Sequence, residues 1–162
     1  MKTQEVVDAL KKLGWKISFA ESCTGGLCAS EVVSISGASN VIGESYVTYS
    51  NESKEKILKV KPETIKKFDV VSKEVAQEMA IGLARITDAN CCVSVTGYAG
   101  STPNPKIEHG TVYVGVYMDG IESVYKFEYP SLPRNEVRTK IVENVFDILY
   151  NEIQLRYDTI LK

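Results

Sequence analysis

Trp15-Lys16-Ile17-Ser18-Phe19-Ala20-Glu21-Ser22-Cys23-Thr24-Gly25-Gly26-Leu27-Cys28-Ala29-Ser30-Glu31-Val32-Val33 is the stretch that decides the fold. Trp15 to Ala20 reads as a short buried strand. It passes directly into a turn at Ser22 to Gly26 and then into a helical run, Leu27 to Val33. Working outward, Val6, Val7, Leu10 and Leu13 recur at helical spacing and Gly14 follows as a C-cap, which predicts an opening helix. Turn chemistry at Ser36 to Asn40 precedes a β-branched and aromatic run that predicts a second strand over Val41–Tyr49.

Helices are expected from Glu52 to Leu58 behind a Ser50-Asn51 cap, from Pro62, and from Ser72 to about Ile86. Cys91 to Thr96 reads as a third strand, and Thr111–Tyr117, Asp119-Gly120 and Ile121–Tyr129 as a hairpin. Beyond Pro133, the stripe Val137, Ile141, Val145, Ile148 and Leu149 predicts a C-terminal helix. Strands alternating with helices predict a three-layer α/β/α sandwich with a mixed, mostly parallel sheet, closed by the hairpin and that helix. With no repeat or low-complexity linker, residues 1–162 read as one domain.

Nineteen Lys and Arg against 21 Asp and Glu give a formal charge of −2, so no general electrostatic pull toward nucleic acid or anionic lipid is expected. No stretch approaches the ~20 apolar residues of a membrane span, and Met1 to Glu5 lacks a signal-peptide pattern, so a cytoplasmic protein without membrane association is expected. Cys23, Cys28, Cys91 and Cys92 lack zinc or redox spacing and read as reduced packing thiols, Cys23 being the one placed near chemistry. The single histidine, His109, leaves zinc hydrolases and Ser-His triads without their imidazoles and is expected on a loop or surface. Neither G-x-G-x-x-G nor a Walker loop occurs.

The candidates for chemistry lie at strand ends, where α/β sheets bind ligands. Ser22, entering a helix through Gly25-Gly26, is either a nucleophile whose oxyanion neighbouring amides would hold or simply an N-cap serine. In Tyr49-Ser50-Asn51-Glu52-Ser53-Lys54, Lys54 is the available base where histidine is scarce. That role requires its pKa to fall from ~10.4 toward neutrality, with Tyr49 as positioning or relay partner. The opposing reading places both on the surface, within the lysine-rich run Lys54, Lys56, Lys59, Lys61, Lys66 and Lys67 that reads as a solvated face. Thr96-Gly97-Tyr98-Ala99-Gly100 is a third strand end and, alone, a turn.

Together, Ala20-Glu21-Ser22-Cys23-Thr24-Gly25-Gly26, Val47-Thr48-Tyr49-Ser50-Asn51-Glu52 with Lys54, Val71-Ser72, Thr96-Gly97-x-Ala99-Gly100 and Gly110-Thr111-Val112-Tyr113 resemble the CinA C-terminal domain family. Its stand-alone form is nicotinamide-nucleotide amidase. The resemblance covers nearly the whole chain, without the amino-terminal nucleotide-processing domain. It implies deamidation of nicotinamide mononucleotide to nicotinate mononucleotide, with Ser22 as nucleophile, Lys54 as general base and Tyr49 as its partner. No metal or cofactor is implied, and the partners would be a small nucleotide substrate and further copies of the chain in a dimer or larger homo-oligomer. Backbone donors around Cys23, Thr24, Gly25 and Gly26, or from Thr96, Gly97 and Gly100, are the expected oxyanion and substrate-binding groups.

After Thr96-Gly97 the family usually continues Ile-Ala-Gly-Pro with further glycines. Here Tyr98 replaces the aliphatic residue, and Ser101-Thr102-Pro103-Asn104-Pro105-Lys106 replaces the glycine-rich portion, where two prolines remove two amide donors. This departure keeps two alternatives in view, an amidase for another carboxamide and a non-catalytic nucleotide-binding or oligomeric scaffold. Ammonia release distinguishes the enzymes from the scaffold.

Overall fold

The computed structural model describes the backbone of residues 1–161 and the side chains of residues 1–158. In chain order the elements are α1 (Thr3–Leu13), β1 (Ile17–Glu21), α2 (Leu27–Val33), a 3₁₀ turn (Ala38–Asn40), β2 (Tyr46–Val47), α3 (Asn51–Leu58), α4 (Pro62–Phe68), α5 (Lys73–Ile86), β3 (Cys91–Gly97), β4 (Thr111–Met118), β5 (Ile121–Glu128) and α6 (Arg134–Leu161). They form one five-stranded sheet, ordered β2-β1-β3-β4-β5, with β2, β1 and β3 mutually parallel and β4 antiparallel to both β3 and β5. The mixed α/β architecture expected from the sequence is therefore present. Among the described residues no helix is long and apolar enough to cross a membrane.

Alternation along β3 divides the interior into two cores. Cys91, Val93 and Val95 pack with Val6 and Leu10 of α1, Val32 of α2, and Ile141 and Phe146 of α6. On the opposite face Cys92 and Ala20 pack with Leu58 of α3 and Val75, Met79 and Leu83 of α5. The second face is built from small side chains because α5 lies almost on the sheet. Ser94 Oγ donates to the Ala76 carbonyl at 2.6 Å, and a Cβ on Gly115 would come 2.5 Å from that same oxygen. Gly82 does the equivalent between helices, since a Cβ there would lie 1.9 Å from the Leu58 carbonyl at the end of α3.

The expected helices are found close to their predicted bounds, Gly14 capping α1 at φ 67° and Ser72 Oγ accepting from Val75 N on α5. Two strand expectations are corrected. The first strand begins at Ile17 rather than Trp15 and runs through Glu21. The run Val41–Tyr49 pairs as a strand only at Tyr46–Val47, with one isolated bridge from Ile17 to Ile42. Between them the ladder is replaced by side chains, as Ser18 Oγ donates to the Glu44 carbonyl at 2.8 Å and Ser45 Oγ accepts from Phe19 N at 3.0 Å. β-propensity is overridden there by local serine bonds.

β1 and β3 lie side by side, and the chain leaves their C-terminal ends toward opposite sides of the sheet, β1 leading on to β2 and β3 to β4. That divergence opens a crevice at the strand ends, the general ligand position in an open α/β sheet.

Candidate active site

Ser22 follows the last residue of β1 and remains tied to the sheet, its amide donating to Val95 of β3 at 3.1 Å. The chain then turns sharply. Gly25 N returns to the Ser22 carbonyl at 3.0 Å, and Gly25 and Gly26 take φ of 58° and 99°, left-handed conformations that glycine adopts without a Cβ penalty. The buried Glu21 carboxylate fixes the far side by accepting from Cys28 N at 2.9 Å and Ala29 N at 3.1 Å, two of the amides that open α2. From α6, Arg138 clasps the same turn, its Nε donating to the Cys23 carbonyl at 2.8 Å and Nη2 to Thr24 at 3.2 Å. Ser22 is thus held on a rigid elbow and is 8% exposed.

Lys54 comes from the first half of α3, whose start is capped by Ser50 Oγ accepting from Ser53 N at 3.0 Å. Its side chain is 1% exposed, the one member of the lysine-rich run that is buried; Lys56, Lys59, Lys61, Lys66 and Lys67 are exposed as a solvated face. Nζ donates to the Thr48 carbonyl at 2.7 Å, the Tyr49 carbonyl at 3.2 Å and Ser22 Oγ at 3.3 Å. No carboxylate pairs with it among the described residues. Burial without a counter-ion pushes the Lys54 pKa down to about 8.

Tyr49 meets Lys54 through its main chain, not its phenol. The side chain is 60% exposed and its oxygen accepts from Arg134 Nη2 at 3.0 Å. Cys23 lines the same cavity, but burial pushes its thiol up to about 11, which keeps it protonated and unreactive at neutral pH. All four cysteines are free and buried.

The β3 end closes the third side. Thr96 Oγ1 donates to the Val70 carbonyl at 2.9 Å, so that hydroxyl holds the wall. Gly97 is demanded by packing, since a Cβ would come within 2.6 Å of Val112 Cγ2, and a Cβ on Gly100 would meet Arg134 Nη1 at 2.8 Å. Gly25 N is committed to Ser22, which removes it from the oxyanion donors, whereas the amides of Cys23, Thr24 and Gly26 reach no other residue's acceptor among the described residues. Ser22, Cys23 and Lys54 line one side of a cavity of about 200 Å³, with Thr96, Gly97, Tyr98, Gly100 and Arg134 among its other lining residues, whereas Thr24, Gly25 and Gly26 lie outside its lining. Typical small-molecule pockets run ~300–1,000 Å³, so this one is sized for the reacting end of a ligand with the remainder at its mouth.

Three residues that build the site lie outside the sequence expectations: Glu21, Arg134 and Arg138. Arg134 carries a readable signal, because a cation at the first position of a helix opposes the helix dipole and costs stability unless it has other work. Glu21 carries none, being an acidic residue whose donors become visible only in three dimensions.

The CinA C-terminal domain, as a sequence family, matches residues 1–153. A CinA-like protein of Kosmotoga olearia is 43% identical over 145 residues, covering 89% of this chain and 35% of that protein. A CinA-like protein of Petrotoga mobilis is 42% identical over 155 residues, covering 93% of this chain and 37% of its own length. The chain therefore spans little more than a third of these curated relatives. Among solved structures, the competence damage-inducible protein A of Klebsiella pneumoniae superposes with a TM-score of 0.90 at 29% identity, over 94% of each chain. The competence/damage inducible protein CihA of Agrobacterium tumefaciens does so with 0.88 at 33%, over 91% of each.

Proposed function

The chain belongs to the CinA C-terminal domain family, and within it we propose a serine–lysine amidohydrolase that converts the carboxamide of nicotinamide mononucleotide to nicotinate mononucleotide and ammonia. One observation carries this reading: Lys54 Nζ, buried and without a carboxylate, lies 3.3 Å from Ser22 Oγ while two carbonyls occupy its other directions. A neutral amine has two hydrogens and one lone pair. With its hydrogens on Thr48 and Tyr49, the lone pair of Lys54 is left facing the Ser22 hydroxyl, which is the arrangement of a general base.

In the forward reaction Lys54 takes the Ser22 proton as Oγ bonds to the carboxamide carbon. The tetrahedral oxyanion is held by the uncommitted main-chain amide of Cys23, which follows Ser22 at the cavity. Collapse breaks the C–N bond, and the Lys54 ammonium passes its proton to the departing nitrogen, leaving an acyl-serine and ammonia. Water, deprotonated by the neutral Lys54, then hydrolyses the ester to the carboxylate and restores Ser22. Arg134 at the cavity mouth supplies the positive charge suited to a phosphate. The reading also places the protein in the cytoplasm with its nucleotide substrate, acting as a homo-oligomer without nucleic acid or membrane partners.

Incubation of the purified protein with nicotinamide mononucleotide should release ammonia and nicotinate mononucleotide, and Ser22→Ala should lower kcat by ~10³-fold or more with an unchanged melting curve. Activity surviving in Ser22→Ala refutes the nucleophile, and no release from folded wild type refutes the substrate.

A further inference from the structure

Asp69 ends α4 with φ 75° and ψ 156°, a backbone region populated almost only by glycine, where any other residue is strained at a cost in stability. Its carboxylate explains what is retained at that cost. Oδ1 accepts from Val71 N at 3.0 Å and from the Tyr98 hydroxyl at 2.7 Å, and Oδ2 accepts from Asn104 Nδ2 at 2.9 Å. One side chain thereby joins the 69–71 turn, the end of β3 and the loop that follows it, all walls of the Ser22 cavity or their supports. Burial first, then the Asp69 carboxylate, push the Tyr98 phenol well above its usual range, so Tyr98 remains a donor throughout the working pH.

The loop so held exposes no main-chain donor from residue 103 to residue 107. Pro103 and Pro105 have none, Asn104 N donates to Thr102 Oγ1 at 3.1 Å, Lys106 N to Asn104 Oδ1 at 2.9 Å, and Ile107 N to the Asn104 carbonyl at 3.1 Å. An anionic ligand group finds no amide cradle there and meets the Asp69 charge behind the wall. The cavity's exposed cation, Arg134, stands elsewhere, beside Tyr49 and Gly100.

We propose that Asp69 is a positioning residue for substrate recognition: through Tyr98 and Asn104 it locks the 98–107 segment into a fixed wall whose 103–107 portion offers no free amide, and so directs the anionic end of the substrate to Arg134. This rests on the amidase reading for its substrate, whereas the lock stands on the hydrogen bonds alone.

The test is Asp69→Asn, which leaves two amide groups facing each other at Asn104, set against the swap Asp69→Asn with Asn104→Asp, which restores a donor–acceptor pair and the charge. Two readouts are taken, amide hydrogen exchange across 98–107 and steady-state deamidation of nicotinamide mononucleotide. Asp69→Asn should speed exchange in that segment by about tenfold or more and raise KM by about tenfold with kcat within about twofold of wild type, and the swap should recover most of both. Unchanged exchange in Asp69→Asn overturns the lock whether or not the protein deamidates anything. Faster exchange with unchanged KM overturns the recognition role. A wild type that releases no ammonia refutes the substrate and with it the recognition role, leaving the lock to be decided by exchange.

Discussion

Lys54 should make the protein more active and less stable through the same displaced proton. Its pKa falls from 10.5 to about 8, so at pH 7 about one molecule in ten holds the neutral base. At the ordinary value roughly one in three thousand would, a gain of about 300-fold in competent enzyme. The same shift costs about 3 kcal/mol of folding free energy wherever the folded chain must bury the ammonium, at 1.36 kcal/mol per unit. The sign follows from proton counting. Between pH 8 and 10.5 the unfolded chain binds the proton that the folded chain has released, so stability rises with pH across that window, and below pH 8 the full cost is present. Urea unfolding of wild type and Lys54→Met, measured from pH 7 to pH 10, isolates this group because all other titrations are common to both. The loss of the Thr48 and Tyr49 bonds shifts the variant by a constant. The stability difference between the two proteins should move by ~2–3 kcal/mol in favour of wild type over that range. In parallel, kcat/KM of wild type should climb about tenfold per pH unit below 8 and level above it. Parallel stability curves, or a flat rate profile from pH 6 to 9, would refute the buried-base argument.

Gly82→Ala should lose stability by ~1–3 kcal/mol, although alanine gains ~1 kcal/mol in helix propensity, because the added Cβ must push the Leu58 carbonyl away from 1.9 Å. α3 carries Lys54, so ammonia release should fall as well, by up to ~10²-fold per ångström of displacement; a more stable and fully active variant would contradict this. Arg134→Ala should raise KM for nicotinamide mononucleotide by ~10-fold or more with a smaller effect on its unphosphorylated riboside, measured by the same ammonia assay. Equal effects on both substrates would move phosphate recognition away from Arg134.

Where the sequence speaks plainly, it does so because a single physical demand acts on neighbouring residues. Ile17, Phe19 and Ala20 must be apolar because a strand buried on both faces has no solvent side, and Gly25-Gly26 must be glycine for a left-handed turn. The second strand misleads because β-branched residues report burial and stiffness, while the pairing of Phe19 is taken by Ser45. Lys54 sits among lysines that face water, and nothing in its neighbours distinguishes it; its depth is set by α5 through Gly82, 28 positions away in sequence. The role of Tyr49 divides in the same way, since the residue type suggests the phenol whereas the fold presents its carbonyl to Lys54 and its hydroxyl to Arg134. Asp69 acts across elements far apart in the chain, a relation that no local pattern encodes, and Arg134 is legible only as a cation set against a helix dipole.

The antiparallel return from β3 to β4 pairs Gly97 with Val112, so both ends of the intervening segment are fixed in one rung of the sheet. That segment is thus a hairpin loop hung on the site, where a parallel crossover would have threaded it under a helix. Lengthening such a loop costs little, each doubling adding ~0.6 kcal/mol of closure entropy. The 98–111 span is in effect an exchangeable cassette: its composition can change, prolines such as Pro103 and Pro105 included, while the elbow at Ser22 and the buried Lys54 stay in register. Grafting a glycine-rich span from a relative between Gly97 and Val112 should therefore yield a folded protein with altered substrate choice, the chemistry and its selectivity being separable parts of one domain.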